Sequence, residues 1–230
     1  MEPSVTLVGT AHVVDLSSAI ARVFGQVAPD AVALELDADR ARVLFEPTPE
    51  GSRSRRRGVP LSFRLFARLE RRLARSIGGG VAGAEMKAAW NEARARRLPV
   101  YLIDAPIGET VGRLLGELSV AERLRLLAIA AVGLLVPPRV VRRELGRYAD
   151  DPAEYESELR VQQPALARIL IDERNERMAA HLARLVESGA RRLVAVVGDA
   201  HVPGLAEALA ARGISVRPIR LAELATFRAS

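Results

Sequence analysis

Two of the three histidines in this 230-residue chain stand in the same frame, Gly-x-Ala-His. Gly9-Thr10-Ala11-His12 follows the apolar run Val5–Val8, and Gly198-Asp199-Ala200-His201 follows Leu193–Val197. Imidazole changes charge nearest neutral pH and is the commonest nitrogen ligand of metals. The pair is therefore a candidate for joint ligation of one ion, or for proton transfer. A satisfied structural histidine explains one such residue; a repeated frame favours function, because active sites concentrate titrating groups. Glu35 ends the apolar run Ala31–Leu34. A carboxylate placed there needs a partner, so it is a metal ligand or general base, or it pairs with an arginine. Asp104 ends Leu98–Ile103 in the same manner and either caps the next helix or faces the site. Asp172-Glu173-Arg174-Asn175 sets four polar residues in a row on a helix. Some must turn inward, where an unpaired charge is costly, and Arg174 is the choice, with Ile171, Met178 and Leu182 on the apolar side. Glu85 sits in a first helical turn, which the helix dipole favours for an acid. Asp199 lies inside the second frame. His181 lies outside both and reads as structural or exposed.

The elements that must position these groups repeat at both ends: strand, Gly-x-Ala-His, helix, strand. Glycine permits the tight turn, and each His then lies past the carboxyl end of a strand, where open α/β sheets bind ligands. Ser17–Val27, capped by Asp15 or Ser17, leads to the strand Ala31–Leu34. Leu205–Arg212 leads to Ile214–Val216. Between these units come a helix over Asp37–Glu46, a loop over 47–60 and an amphipathic helix over Leu61–Ile77. A helix from Gly83 to Arg97 and a strand over Leu98–Ile103 follow. Further helices cover Thr110–Leu118, Val120–Val136 and Ala153–Arg160, and a long one runs from Gln163 to Glu187. Consecutive strands are expected as neighbours, which brings Glu35 beside His12. The fold expected is α/β, with a mixed central sheet flanked by many helices and two strand-helix units converging on one site. One domain over 1–230 is expected, with a helical insert at about 105–165.

Composition narrows the classes. The chain has no Cys, which excludes disulfides and thiolate metal sites. No apolar segment reaches the roughly 18–20 residues of a membrane span, and Met1-Glu2-Pro3-Ser4 reads as the lead into a strand, so no signal peptide is expected. A cytoplasmic location follows as the expectation, with membrane association as the alternative. The net charge is +6, carried almost wholly by Arg, with Lys87 the single lysine. Aromatic content is only 4%, so stacking on single strands has no platform and no nucleic-acid partner is expected. Arg53, Arg55, Arg56 and Arg57 lie in the 47–60 loop, read as mobile and dispensable. Leu126–Val136 is apolar nearly all round and is expected in the core or at a homodimer contact.

In their joint order these motifs resemble the TraB/PrgY (pheromone-shutdown) family, related to the Tiki and GumN proteins and more remotely to erythromycin esterase and ChaN-like proteins. The resemblance runs through Gly9–His12, Pro29-Asp30, Glu35-Leu36-Asp37 with Arg40, Gly83–Met86, Leu102-Ile103-Asp104 with Thr110, Asp172–Asn175 with Met178, and Val196–Gly204. It departs after Asp104, where the family usually carries a further Arg and Asp and this chain has Ala105-Pro106. Many relatives carry membrane segments after this domain. The resemblance implies convergence of the two Gly-x-x-His motifs with an acid between them. It implies His12, His201 and Glu35 as metal ligands, Glu35 with Arg174 and Asn175 in catalytic support, and Glu85, Asp104 and Asp199 as additional site residues.

The expected activity is a metal-dependent, peptidase-like hydrolase that acts on or inactivates a peptide signal; a small amide or ester is the other substrate class. The divalent ion would be Zn, Mn, Co or Fe, lowering the pKa of a bound water from about 16 toward about 7, while Arg174 stabilises the oxyanion. The alternatives are a non-catalytic peptide-binding protein, a metal-free esterase with His12 as base oriented by Glu35, and haem or iron binding from the ChaN-like kinship.

Overall fold

In the computed structural model the described residues are 2–10, 16–45, 83–119, 157–158 and 160–226. His12, Asp15, the basic 47–60 loop, the 61–77 segment and the apolar 126–136 segment lie outside them.

Short runs rich in Val, Leu and Ala form five strands: β1 (Ser4–Thr10), β2 (Ala31–Leu34), β3 (Val100–Leu102), β4 (Arg192–Gly198) and β5 (Ser215–Ile219). They make one sheet in the order β3-β2-β4-β1-β5. Each adjacent pair runs parallel. The α/β class stands, while the sheet expected as mixed is parallel throughout the described residues. The reason is the chain's own alternation: a helix follows almost every strand, and a crossover of that length returns the chain to the same end of the sheet.

The direction of the crossovers sorts the helices. From β1 to β2 and on to β3 the chain moves toward one edge, and it carries α1 (Ser17–Val27), α2 (Ala38–Phe45) and α3 (Ala84–Ala95). From β3 to β4 to β5 it moves the other way. This path carries α4 (Ile107–Glu117), α5 (Pro164–Ala167), α6 (Glu173–Glu187) and α7 (Val202–Ala210), with α8 (Leu221–Thr226) after β5. Right-handed crossovers in opposite directions place their helices on opposite faces. Two cores result. Ile20 and Phe24 of α1 and Met86 of α3 pack on Val8, Val32, Val194 and Val196. Met178 and Leu182 of α6, with Leu205 and Leu209 of α7, pack on Val5, Leu7, Leu193, Ala195 and Val197. A strand covered on both faces reads as an unbroken apolar run, which is why Leu193–Val197 shows no alternation.

Ser17 is the first residue of α1 rather than its cap; Leu16 precedes it, without a side-chain cap bond. The long helix is continuous from Pro164 to Glu187 but contains a π-helical turn over Arg168–Asp172, where the Glu173 N–H reaches the carbonyl of Arg168.

Candidate functional site

Glu35, Asp37, Asp104 and His201 follow the carboxyl ends of β2, β3 and β4, Gly198 closes β4, and α6 lays Arg174 and Asn175 across them. Parallel strands deliver every strand end to one edge, so residues far apart in sequence gather without long loops. The Glu35 N–H still donates to Val196 O at 3.0 Å, continuing the β2–β4 pairing by one residue. Its side chain is thereby held against the end of β4.

Glu35 is the hub. Its Oε2 accepts the Gly198 N–H at 2.5 Å, and its Oε1 accepts from Arg174 Nη2. The same Oε1 faces His201 Nε2 at 3.3 Å. A Cβ at position 198 would stand 3.3 Å from Glu35 Oε2, so glycine gives the carboxylate access to the backbone donor. Burial pushes the Glu35 carboxyl up. The charge and hydrogen bond of His201, the Arg174 guanidinium and the Gly198 N–H outweigh it and hold the group well below the usual carboxylate range.

His201 is buried. Its Nδ1 lies 2.7 Å from Asn175 Oδ1. An amide oxygen only accepts, so Nδ1 carries the proton and Nε2 is an open acceptor in the neutral ring. Asn175 is itself pinned. A Cβ at Gly204 would fall 2.3 Å from Asn175 Nδ2, so α7 must be bare at that position for Asn175 to reach the ring.

Arg174 turns inward as expected. Its Nε donates to Asp104 Oδ1 at 2.9 Å and its Nη2 to Asp104 Oδ2 at 2.6 Å. Its Nη1 donates to Leu170 O, inside the π turn, at 3.2 Å. Burial pulls this guanidinium down, but Asp104 and Glu35 prevail and hold it protonated more firmly than a free arginine. Asp104 also accepts from Arg40 Nη2 and takes the Ala105 N–H at 2.7 Å. Arg40 Nε reaches Asp37 Oδ2 at 2.6 Å. Asp37 caps α2 through the N–H groups of Asp39 and Arg40 at 2.9 and 3.0 Å. The result is a chain of alternating charge, Asp37–Arg40–Asp104–Arg174–Glu35, ending on His201. Three carboxylates meet two guanidinium groups in it, so one negative charge is left for a protonated His201 or a bound cation.

Of the readings of Glu35, the structure shows the arginine pair, and the same carboxylate also faces an imidazole. Asp104 faces the site and ties down the chain just ahead of α4 as well. Asp199 is turned elsewhere. It grips Arg220, with Nη2 at 2.7 Å, and accepts the Leu221 N–H at 2.8 Å at the start of α8. A Cβ at Gly9 would stand 2.3 Å from its Oδ1. Glu85 is buried in the first turn of α3, next to Met86 in the α1-side core. His181 is half-buried, with its backbone partner at Ile103; burial first, then Arg184 and Arg177, lower its pKa. His12 lies outside the described residues, but β1 ends beside the site: Gly9 pairs with Val197 and Thr10 with Gly198. The Thr10 hydroxyl donates to Val197 O at 3.2 Å. Sequence reasoning passed over the roles of Arg40, Asp37 and Gly204. The Asp37/Arg40 spacing across a first helical turn was the available signal for the first two.

Among the described residues no three His, Asp or Glu side chains gather as a metal site. Two donors do fit one ion. Ligands about 2.0–2.1 Å from a tetrahedral metal are about 3.3 Å apart, and Glu35 Oε1 and His201 Nε2 have that separation. Arg174 competes for the same Glu35 oxygen.

Residues 142–218 match the TraB/PrgY/gumN family, the family the motifs resemble, over the stretch that holds Arg174, Asn175 and His201. An uncharacterised protein of Methanocaldococcus jannaschii is 29% identical over 211 residues, 89% of this chain and 53% of that protein. The chain therefore spans about half the length of that curated relative. Among the described residues no helix is long and apolar enough to cross a membrane.

Proposed function

We propose that this TraB/PrgY/gumN-type chain is a hydrolase of peptide or amide bonds, working on a peptide signal at the edge where β1, β2 and β4 end. The observation that carries the reading is the His201 ring. Its Nδ1 is fixed by Asn175 at 2.7 Å and its Nε2 is turned to Glu35 at 3.3 Å. A neutral imidazole in that tautomer sets two acceptors face to face, so a proton or a cation belongs between them. Glu35, kept ionised by His201 itself, Arg174 and Gly198, stabilises a proton that His201 takes from water and later gives to the leaving amine. Arg174 supplies fixed positive charge beside the place where an oxyanion forms.

His201 and Glu35, together with His12 of the first Gly-x-Ala-His frame, have the donor types of a site for Zn, Mn, Co or Fe. The uncompensated negative charge of the network suits such an ion. Bound there, a divalent metal would supply Lewis-acid activation of water and of the scissile carbonyl.

Arg174 bound to the Glu35 oxygen favours a second reading, a metal-free His/Glu hydrolase. Metal content and turnover of a peptide library, with and without chelator, decide between them. Metal with chelator-sensitive turnover supports the first; turnover without metal supports the second. Binding of peptides without any turnover overturns both in favour of a sequestering protein. His12→Ala and His201→Ala should each abolish turnover while the fold survives, and the double variant should be no worse, because residues acting as a unit are not additive.

A further inference from the structure

Thr110 belongs to the motifs that carry the resemblance, yet the charged network does not use it. It sits in α4, only 7% exposed, with its N–H on Pro106 O at 3.2 Å. Its hydroxyl has no hydrogen-bond partner among the described residues, an arrangement that is costly unless a ligand or water completes it. Thr110 lines a cavity of about 70 Å³ between α4 and the 164–187 helix, walled by Ala105 and Ile169 and shared with Arg174, Arg113 and Arg177. The two acids at its rim are already engaged. Glu109 takes Arg177 at 2.6 Å, and Glu173 takes Arg113 at 3.1 Å. Arg174 has one N–H left over. Of the five donors of a guanidinium, Nε and Nη2 serve Asp104 and Glu35, and one hydrogen of Nη1 serves Leu170.

We infer that this cavity is a subsite for a carboxylate of the ligand, with the Thr110 hydroxyl and the remaining Nη1 hydrogen of Arg174 as its donors. A cation does not fit, because both open groups on the lining are donors, and a carboxylate meets the two with two acceptor oxygens where a neutral carbonyl has one. The same guanidinium touches Glu35, so a group bound here lies next to the His201–Glu35 pair. The assignment rests on the proposed peptide substrate, whose carboxylate is terminal or on an acidic side chain.

Three probes separate these: N-acetylalanine (terminal carboxylate), the α-amide of N-acetylglutamic acid (side-chain carboxylate only) and neutral N-acetylalaninamide. Each is titrated into the whole chain by NMR, following the Thr110 amide and the Arg174 Nε–H. At least one acid should saturate about tenfold more tightly than the neutral amide, and which acid does so identifies the source. Thr110→Val should weaken that acid about tenfold without lowering the melting temperature, and Thr110→Ser should restore it. Equal binding of acids and neutral amide, or wild-type affinity in Thr110→Val, overturns the subsite. Should Thr110→Val not fold, the acid-against-amide contrast and the retained affinity of Thr110→Ser decide. Binding is read without turnover, so a chain that prefers acids but cleaves nothing overturns only the hydrolase reading, and one that cleaves peptides but ignores the carboxylate overturns only the subsite.

Discussion

His201 is set by neighbours that have no catalytic chemistry of their own. Asn175 chooses its tautomer, and Gly204 makes room for Asn175. Asn175→Ala should leave Nδ1 unpartnered in a buried place, at a cost of about 1–3 kcal/mol in unfolding free energy. The ring nitrogen shifts should move toward mixed tautomers. Gly204→Ala should do similar damage without touching a polar atom. Its Cβ would overlap Asn175 Nδ2, and overpacking of this kind costs about 1–3 kcal/mol. A Gly204→Ala protein with an unchanged His201 spectrum would show that Asn175 does not set the ring. Asp104 is the central anion of the network, 2% exposed at its side chain between two arginines. Asp104→Asn removes the shared counter-charge and should destabilise by about 3–5 kcal/mol, a loss readable by urea titration.

At the scale of elements, the second Gly-x-x-His frame does two tasks. His201 faces Glu35, while Asp199, two residues earlier, ties β4 to Arg220 and the start of α8. Asp199→Ala should therefore free α8 before it disturbs the site. Hydrogen exchange at Leu224, fully buried here, should speed up markedly, with a loss of about 1–2 kcal/mol typical of a removed helix cap. Unchanged protection would deny the latch. The π turn over Arg168–Asp172 is the other device at this level. Leu170 O, within that turn, accepts from the Arg174 side chain and is the third anchor of the guanidinium. Such turns recur at functional sites.

For the whole molecule, the two ends of the chain are interleaved. β1 is paired on one side with β4 and on the other with β5, so the first strand of the sequence is wedged between the last two. Removal of residues 1–10 should abolish cooperative unfolding, because β5 has no other partner among the described strands. Acid should act on the same assembly through its carboxylates. Glu35 and Asp37 both titrate below their ordinary values in the folded chain. Their stabilisation is full above the unfolded values, about 4.3 and 3.9, and drains as pH falls through the folded ones. Chemical denaturation should therefore give a plateau above about pH 5 and a steep fall below about pH 4; a chain equally stable at both would contradict the charged network.

The sequence by itself determined the elements and their class. Apolar runs of three to six residues alternating with helical periodicity point to strands with crossover helices, and β1, α1, β2, β4 and α6 follow those runs closely. It also marked His201 by the repeated Gly-x-Ala-His frame, and Glu35 and Arg174 by local oddity, an acid and a guanidinium set where apolar burial was due. Partnership was decided by tertiary structure alone. Whether Glu35 would meet a histidine or an arginine depends on β2 lying beside β4 with α6 above, which no local pattern encodes. Asp104 and Asp199 look alike in sequence, each an acid just past a strand. One joins the site and the other leaves it, because β3 ends facing Arg40 and Arg174 whereas the turn after β4 faces Arg220. The strand order β3-β2-β4-β1-β5 made that distinction, and strand order is set by the packing of two cores on opposite faces of one sheet rather than by any residue in the strands.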